Sequence, residues 1–169
     1  MFCLKPDYLI NGDLTGLNLV DLKAAGIKGL LLDLDNTIML PYRAEWLPDI
    51  RRWIEQALDL GLKMIVVTNN KRCDYLKTVE PLLNLYGIKM IGQADKPRRK
   101  ALKEALRMID LPADSVCLIG DRVLTDIWGG ARLGMKTALV RPLSGKSERK
   151  LYQFLRQIEY LCLHPNYRY

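Results

Sequence analysis

This chain of 169 residues contains a single histidine, His164, which stands in the tail beside Pro165. Histidine-nucleophile and Ser–His mechanisms therefore lack their base. The four cysteines, Cys3, Cys73, Cys117 and Cys162, stand singly, without the Cys-x-x-Cys pair of zinc or redox sites. A cysteine phosphatase would need Cys-x5-Arg, but only four residues separate Cys117 from Arg122, and Cys117 lies in an apolar run that reads as core. There is no Gly-x4-Gly-Lys-Ser/Thr stretch for a nucleotide-binding loop. No apolar run approaches the roughly 18 residues needed to span a bilayer. The opening Met1-Phe2-Cys3-Leu4-Lys5-Pro6-Asp7 lacks the basic-then-apolar layout of a signal peptide. The expectation is a cytoplasmic protein with reduced thiols, attached to a membrane at most peripherally, at its inner surface.

What is present is ordinary for a globular domain: 49% hydrophobic and 27% charged residues. The length suits one domain with one substantial core. Lysine and arginine number 26 against 19 acids, a net charge of +7. The excess is uneven. From Lys136 to Tyr169 seven basic residues face only Glu148 and Glu159, and Lys96, Arg98, Arg99, Lys100, Lys103 and Arg107 are opposed within their stretch only by Glu104. Such clusters suit an anionic partner, a phosphorylated ligand, acidic membrane or nucleic acid, or else a solvated helix face.

Short apolar runs alternate with longer amphipathic stretches. Gly29–Leu34, Met64–Thr68, Lys89–Ile91, Val116–Gly120 and Thr137–Val140 read as five strands. Leu47–Leu60, Arg72–Tyr86, Pro97–Ile109, a stretch around Thr125–Leu133 and a last segment from about Ser147 to Leu161 read as helices. Gly61, Gly87 and Gly134 fall where helices should stop. This alternation specifies an α/β protein with a five-stranded parallel sheet covered on both faces. Such sheets bind ligands beyond the carboxyl ends of their strands, which directs attention to Asp33, Asp35, Thr68, Asp95, Lys96 and Asp121.

In Leu30-Leu31-Leu32-Asp33-Leu34-Asp35-Asn36-Thr37, two carboxylates one residue apart leave an anchored strand on the same side. Close like charges are costly unless a cation joins them or one takes a proton. One carboxylate can then attack while its neighbour alternates as general acid and base.

This octet resembles the first motif of the haloacid dehalogenase (HAD) superfamily, whose members are mostly phosphohydrolases. Ile65-Val66-Val67-Thr68-Asn69 is similar to the second motif, Asp95-Lys96-Pro97 to the third, and Leu118-Ile119-Gly120-Asp121-Arg122-Val123-Leu124-Thr125-Asp126 to the fourth. The resemblance implies a single Rossmann-like three-layer domain over residues 1–169, with Asp33 as nucleophile and Asp35 as general acid and base. Thr68, the backbone N–H of Asn69 and Lys96 would bind the phosphoryl oxygens. Mg²⁺ would be held by Asp33, Asp121 and the main-chain carbonyl of Asp35, with Asp126 either completing the shell or orienting Lys96. Phosphoryl transfer needs this kind of positioning and electrostatic support, and Mg²⁺ prefers oxygen ligands.

The family's cap domains are inserted soon after the first motif or between the second and third, and neither place has room for one here. An open site accepts phosphates on bulky bodies and leaves space for a partner chain, so an oligomer is compatible with it. Lys5-Pro6-Asp7-Tyr8, Thr68-Asn69-Asn70 and Gly129-Gly130-Ala131-Arg132-Leu133-Gly134 resemble the subgroup that includes phosphatidylglycerophosphate phosphatases. That implies a phosphorylated lipid head group as substrate and peripheral membrane contact. The last helix offers a docking face of Leu151, Phe154, Leu155, Ile158 and Leu161, flanked by Arg149, Lys150 and Arg156, or an ordinary helix packed on the sheet. Two rivals remain: a soluble sugar, nucleotide or phosphoprotein substrate, and a binding role on RNA or a ribosome-associated partner with a vestigial site. Filled catalytic positions speak against the second, and with it against a nucleic-acid partner.

Overall fold

The computed structural model describes residues 4–145, 150–161 and 163. Its sheet has six parallel strands in the order β1-β6-β5-β2-β3-β4: β1 Tyr8–Leu9, β2 Gly29–Leu32, β3 Lys63–Val67, β4 Lys89–Ile91, β5 Val116–Gly120 and β6 Lys136–Leu139. The sixth strand corrects the five-strand expectation. β1 has two residues, paired with Ala138 and Leu139 of β6, and two residues are too few to display any periodicity. The helices are α1 Leu19–Ala24, α2 Pro48–Asp59, α3 Cys73–Asn84, α4 Arg99–Ile109, α5 Trp128–Ala131 and α6 Lys150–Leu161. The short α1 escapes pattern reading for the same reason as β1, although Asn18 caps it by accepting from the Val20 and Asp21 N–H groups.

The pleat of β2 shows how the layers form. Leu30 and Leu32 face a core that includes Leu22 of α1, Ile54 of α2 and Val79 of α3. Leu31 faces the opposite core with Leu102 and Ala105 of α4. A strand buried on both sides must be apolar at every position, and β2 is. Gly61, Gly87 and Gly134 take φ of 75°, 67° and 77° where three helices end, a conformation costly for any side chain with a Cβ. Neither possible insertion point holds a domain. Residues 40–47 form a loop before α2, and α3 alone joins β3 to β4.

The expected helix around Thr125–Leu133 is split. Val123–Ile127 forms one wide π-type turn before α5, in which the Ile127 N–H reaches back to the Arg122 carbonyl at 3.4 Å. Single π turns are frequent at functional sites. On α6, Phe154, Leu155, Ile158 and Leu161 are exposed, while Tyr160 packs beside the cluster of Val123, Ile127, Leu139 and Leu163. Arg149, His164 and the side chains of Lys150, Leu151 and Arg156 lie outside the described residues. No helix among the described residues is long and apolar enough to cross a membrane. Cys117 is buried, as its apolar run implies, and burial pushes its thiol up.

Candidate active site

Two inner strands, β2 and β3, are each followed by a polar residue still held by the ladder. The Asp33 N–H donates to the Ile119 carbonyl at 2.9 Å, and the Thr68 N–H to the Ile91 carbonyl at 3.0 Å. Beyond these strand ends lies a cavity of about 650 Å³, lined among others by Asp33, Asp35, Thr68, Asn69, Lys96 and Asp121. Six of the seven residues to which the resemblance gives a role thus meet at one opening, whereas Asp95 pairs with Arg98 outside it. The seventh, Asp126, lies beneath it with 0% of its surface exposed.

Lys96 is the electrostatic centre. Its Nζ donates to Asp33 Oδ1 at 2.8 Å and to Asp126 Oδ1 at 2.7 Å, and the residue is 4% exposed. Burial alone would pull the ammonium down, but the facing Asp126 and Asp33 carboxylates outweigh it and hold Lys96 above the ordinary lysine range. Lys96 therefore does not belong to the surface cluster into which the sequence grouped it. Arg98, Arg99, Lys100, Lys103 and Arg107 are exposed.

Burial also acts on Asp33, raising its carboxyl to about 8, with Lys96 opposing the rise and the Asp126 and Asp121 charges adding to it. Ligand oxygens of Asp33, Asp121 and Asp126 lie within 4.8 Å of one another. Three carboxylates crowd together here around the Lys96 ammonium, and such crowding is relieved by a proton or a cation. The donors are all oxygen, which fits Mg²⁺. Asp126, however, is already engaged. Its Oδ1 takes Lys96, and its Oδ2 accepts the Arg122 N–H at 3.2 Å and the Thr125 hydroxyl at 3.1 Å. Asp33 and Asp121 are the better candidates for a metal.

Asp35 is raised by burial, and the Asn70 amide, bonded to its Oδ2 at 2.8 Å, works against that rise. The Tyr75 hydroxyl also acts on the Asp35 carboxylate, and is itself raised by burial and by that charge. Among the described residues nothing hydrogen-bonds the buried Asp35 Oδ1, an arrangement costly unless something else comes to meet it. A carboxyl with raised pKa, steered by one amide, suits proton transfer.

Several positions carry roles that their sequence context did not disclose. The Asn69 side chain clamps the main chain of Lys96, its Oδ1 accepting the Lys96 N–H at 2.6 Å and its Nδ2 donating to the Lys96 carbonyl at 2.8 Å. Asn70 holds Asp35. Asn36, at φ 67°, makes the turn after Asp35, and its Oδ1 accepts the Ser144 N–H at 3.1 Å. Gly120 is required by close approach, since a Cβ there would lie 2.3 Å from Asp126 Cγ. From the far end of the chain, Glu159 of α6 takes the Arg122 guanidinium on Oε1 and the Val123 N–H on Oε2 at 3.0 Å. The one available signal was the polar run Thr68-Asn69-Asn70 at a strand end. Nothing local marks Glu159.

Known proteins bear on this geometry. A Bacillus subtilis protein named Probable phosphatase YqeG is 37% identical over 138 residues, 82% of this chain and 77% of that one. The chain belongs to the HAD-like family of phosphatases. The HAD-hydrolase-like family model matches residues 93–161, which include Lys96 and both acids of the fourth motif. Phosphatidylglycerophosphate phosphatase 1, chloroplastic, of Chlamydomonas reinhardtii is 32% identical over 161 residues, 92% of this chain but 60% of that one. A solved structure of D,D-heptose 1,7-bisphosphate phosphatase from B. bronchiseptica, complexed with magnesium and phosphate, has the same fold. It superposes with a TM-score of 0.56 at 20% identity, over 75% of this chain and 87% of that one.

Proposed function

We propose that this HAD-like phosphatase is a Mg²⁺-dependent phosphomonoester hydrolase that works through an aspartyl-phosphate on Asp33, and that its substrate is phosphatidylglycerophosphate. The observation that carries the mechanism is Asp33 at the floor of the cavity, bonded to a buried Lys96, with Asp35 held by Asn70 in the same loop. Asp33, Asp121 and the Asp35 main-chain carbonyl would hold Mg²⁺. When bound, the ion supplies positive charge that keeps Asp33 ionised and draws density from the phosphoryl oxygens.

The chain's own residues account for the rest. An Asp33 carboxylate oxygen forms a bond to phosphorus as the ester P–O bond breaks, and Asp35 gives its proton to the leaving alkoxide. Lys96 and the Thr68 hydroxyl stabilise the oxygens of the transferring group. The Thr68 hydroxyl oxygen already accepts the Asn70 N–H at 3.1 Å, so its own hydrogen is free to donate. Water then attacks phosphorus, Asp35 takes back a proton, and inorganic phosphate leaves with Asp33 restored. Asp126 and Asn69 position Lys96, one through its ammonium and the other through its main chain.

Three features support the lipid substrate: the named activity of the algal relative, an opening not covered by a cap domain, and the net charge of +7 near an anionic surface. Phosphate release is measured from phosphatidylglycerophosphate in liposomes with Mg²⁺, beside a panel of soluble esters and an Asp33→Asn control. Release from lipid that the variant lowers by on the order of 10⁴-fold or more is the expected result. Release from soluble esters alone would keep the mechanism and discard the lipid. No release from any ester would overturn both.

A further inference from the structure

Around the cavity, the charged residues divide by height. The floor holds the acids Asp33, Asp35 and Asp121 with Lys96, whereas the charged residues on the outer lining, Arg43, Lys71, Arg72 and Arg122, are all cations. Of these, Arg122 is committed to Glu159. Among the described residues, Arg43 and Arg72 are ion-paired with the exposed acids Glu45 and Asp74, each at 3.6 Å. Such exposed pairs contribute little and exchange readily.

One of these cations is pre-set. The Arg72 guanidinium lies over the Tyr42 ring, 4.9 Å from its centroid, and the Tyr42 ring meets that of Tyr75 edge-on at 6.0 Å. Tyr42 holds φ at 62°, uncommon and strained for a bulky residue. The loop of residues 40–43 thus keeps a strained tyrosine at the mouth, exposed to 54%, where it orders an arginine from the start of α3. A stacked guanidinium has surrendered much of its freedom beforehand, and its fork suits the paired oxygens of a phosphate or carboxylate.

The scissile phosphate needs none of this, because the floor already supplies Lys96, Thr68 and a place for a divalent cation. We infer that Tyr42 and Arg72, with Lys71 beside them, form a second anion subsite that reads a further anionic group on the leaving side of the phosphomonoester. The favoured substrates are therefore bis-anionic: esters whose alcohol carries a phosphodiester, a second phosphate or a carboxylate a few bonds from the scissile group. This rests on the phosphomonoester hydrolase reading and deepens it. The second anion can belong to a soluble compound or to a lipid head group.

The test compares propane-1,3-diol monophosphate with the corresponding bisphosphate, in solution and at fixed ionic strength. A charge-assisted contact contributes about 1.5–3 kcal/mol, so wild-type kcat/KM should favour the bisphosphate by roughly 10-fold or more. Arg72→Ala should reduce that ratio by about 5-fold or more through KM, Tyr42→Ala should reduce it in parallel, and Tyr42→Phe, which keeps the ring, should preserve it. Calorimetry on Asp33→Asn protein reads the same preference as a ratio of Kd values without turnover, so the subsite is tested even where hydrolysis fails. Phosphatidylglycerophosphate in neutral vesicles and its deacylated, soluble head group separate the two sources. Equal dependence of both on Arg72 supports a subsite for the substrate's own anion. A wild-type enzyme indifferent to the second anion, or equal losses on both propanediol esters, would overturn the proposal. So would an Arg72 effect confined to vesicles, which would make the arginine a contact for the bilayer.

Discussion

Asparagine at position 126 would keep the size of the aspartate and remove its charge. In the wild-type site both oxygens of Asp126 accept: Oδ1 from Lys96 at 2.7 Å, and Oδ2 from the Arg122 N–H at 3.2 Å and the Thr125 hydroxyl at 3.1 Å. An asparagine amide has one acceptor and one NH₂ group. Whichever way it is turned, donor meets donor, against Lys96 Nζ or against the Arg122 N–H. The residue is 0% exposed, so water cannot repair the mismatch. Lys96 keeps its bond to Asp33, so what is lost is the match at one buried hydrogen-bonding group, roughly 1–3 kcal/mol. At about 2–4 °C per kcal/mol for a chain of this size, Tm should fall by roughly 2–12 °C. Mg²⁺ half-saturation, followed as a thermal shift, should move less than in Asp121→Asn, because the Asp126 oxygens belong to protein donors. Asp121→Asn should do the reverse, weakening half-saturation by about 10-fold or more with a smaller loss of stability in the metal-free protein. An Asp126→Asn protein as stable as wild type, with its Mg²⁺ response shifted as far as that of Asp121→Asn, would make Asp126 a metal ligand and refute the positioning role.

Further outcomes follow from the same contacts. Asn70→Ala removes the amide that steers Asp35 and should lower kcat by about 10- to 100-fold without changing Tm by more than a few degrees. Burial keeps the Asp35 carboxyl above its usual range, so it stays protonated further up the pH scale and loses its proton as pH rises. For alkyl phosphates, whose leaving oxygen needs that proton, kcat should fall on the alkaline side. For aryl phosphates with good leaving groups it should fall much less. Since the Asn70 bond opposes the rise, the alkaline limb in Asn70→Ala should lie at higher pH than in wild type, and a limb displaced to lower pH would contradict this account. Gly120→Ala places a Cβ 2.3 Å from Asp126 Cγ. It should cost about 1–3 kcal/mol by urea unfolding and displace Lys96 enough to remove most activity.

The local sequence determined a good part of this protein. Apolar runs marked the five longer strands to within two residues at each end, and in β2 and β5 the run is unbroken because a strand buried on both faces has no polar position to spare. Leu34 shows the limit of that signal. It is apolar and fully buried, yet it lies in the turn after β2, not in the strand. The alternation of strands and helices implied the parallel sheet, and the residues at the strand ends picked out the cavity lining. Only the tertiary structure decided what those residues hold. Asp126 spends its oxygens on Lys96, Arg122 and Thr125, Asn69 grips the main chain 27 residues away, and Glu159 reaches back 37 residues to Arg122. Such partnerships have no period and no preferred spacing. They depend on which strand ends the sheet order brings side by side, and β5 lies beside β2 although two strands and three helices separate them in the chain. Strand and helix identity are local and repeat along the chain, so they can be read from it. The hydrogen bonds that give each acid its task form only when distant segments are folded together.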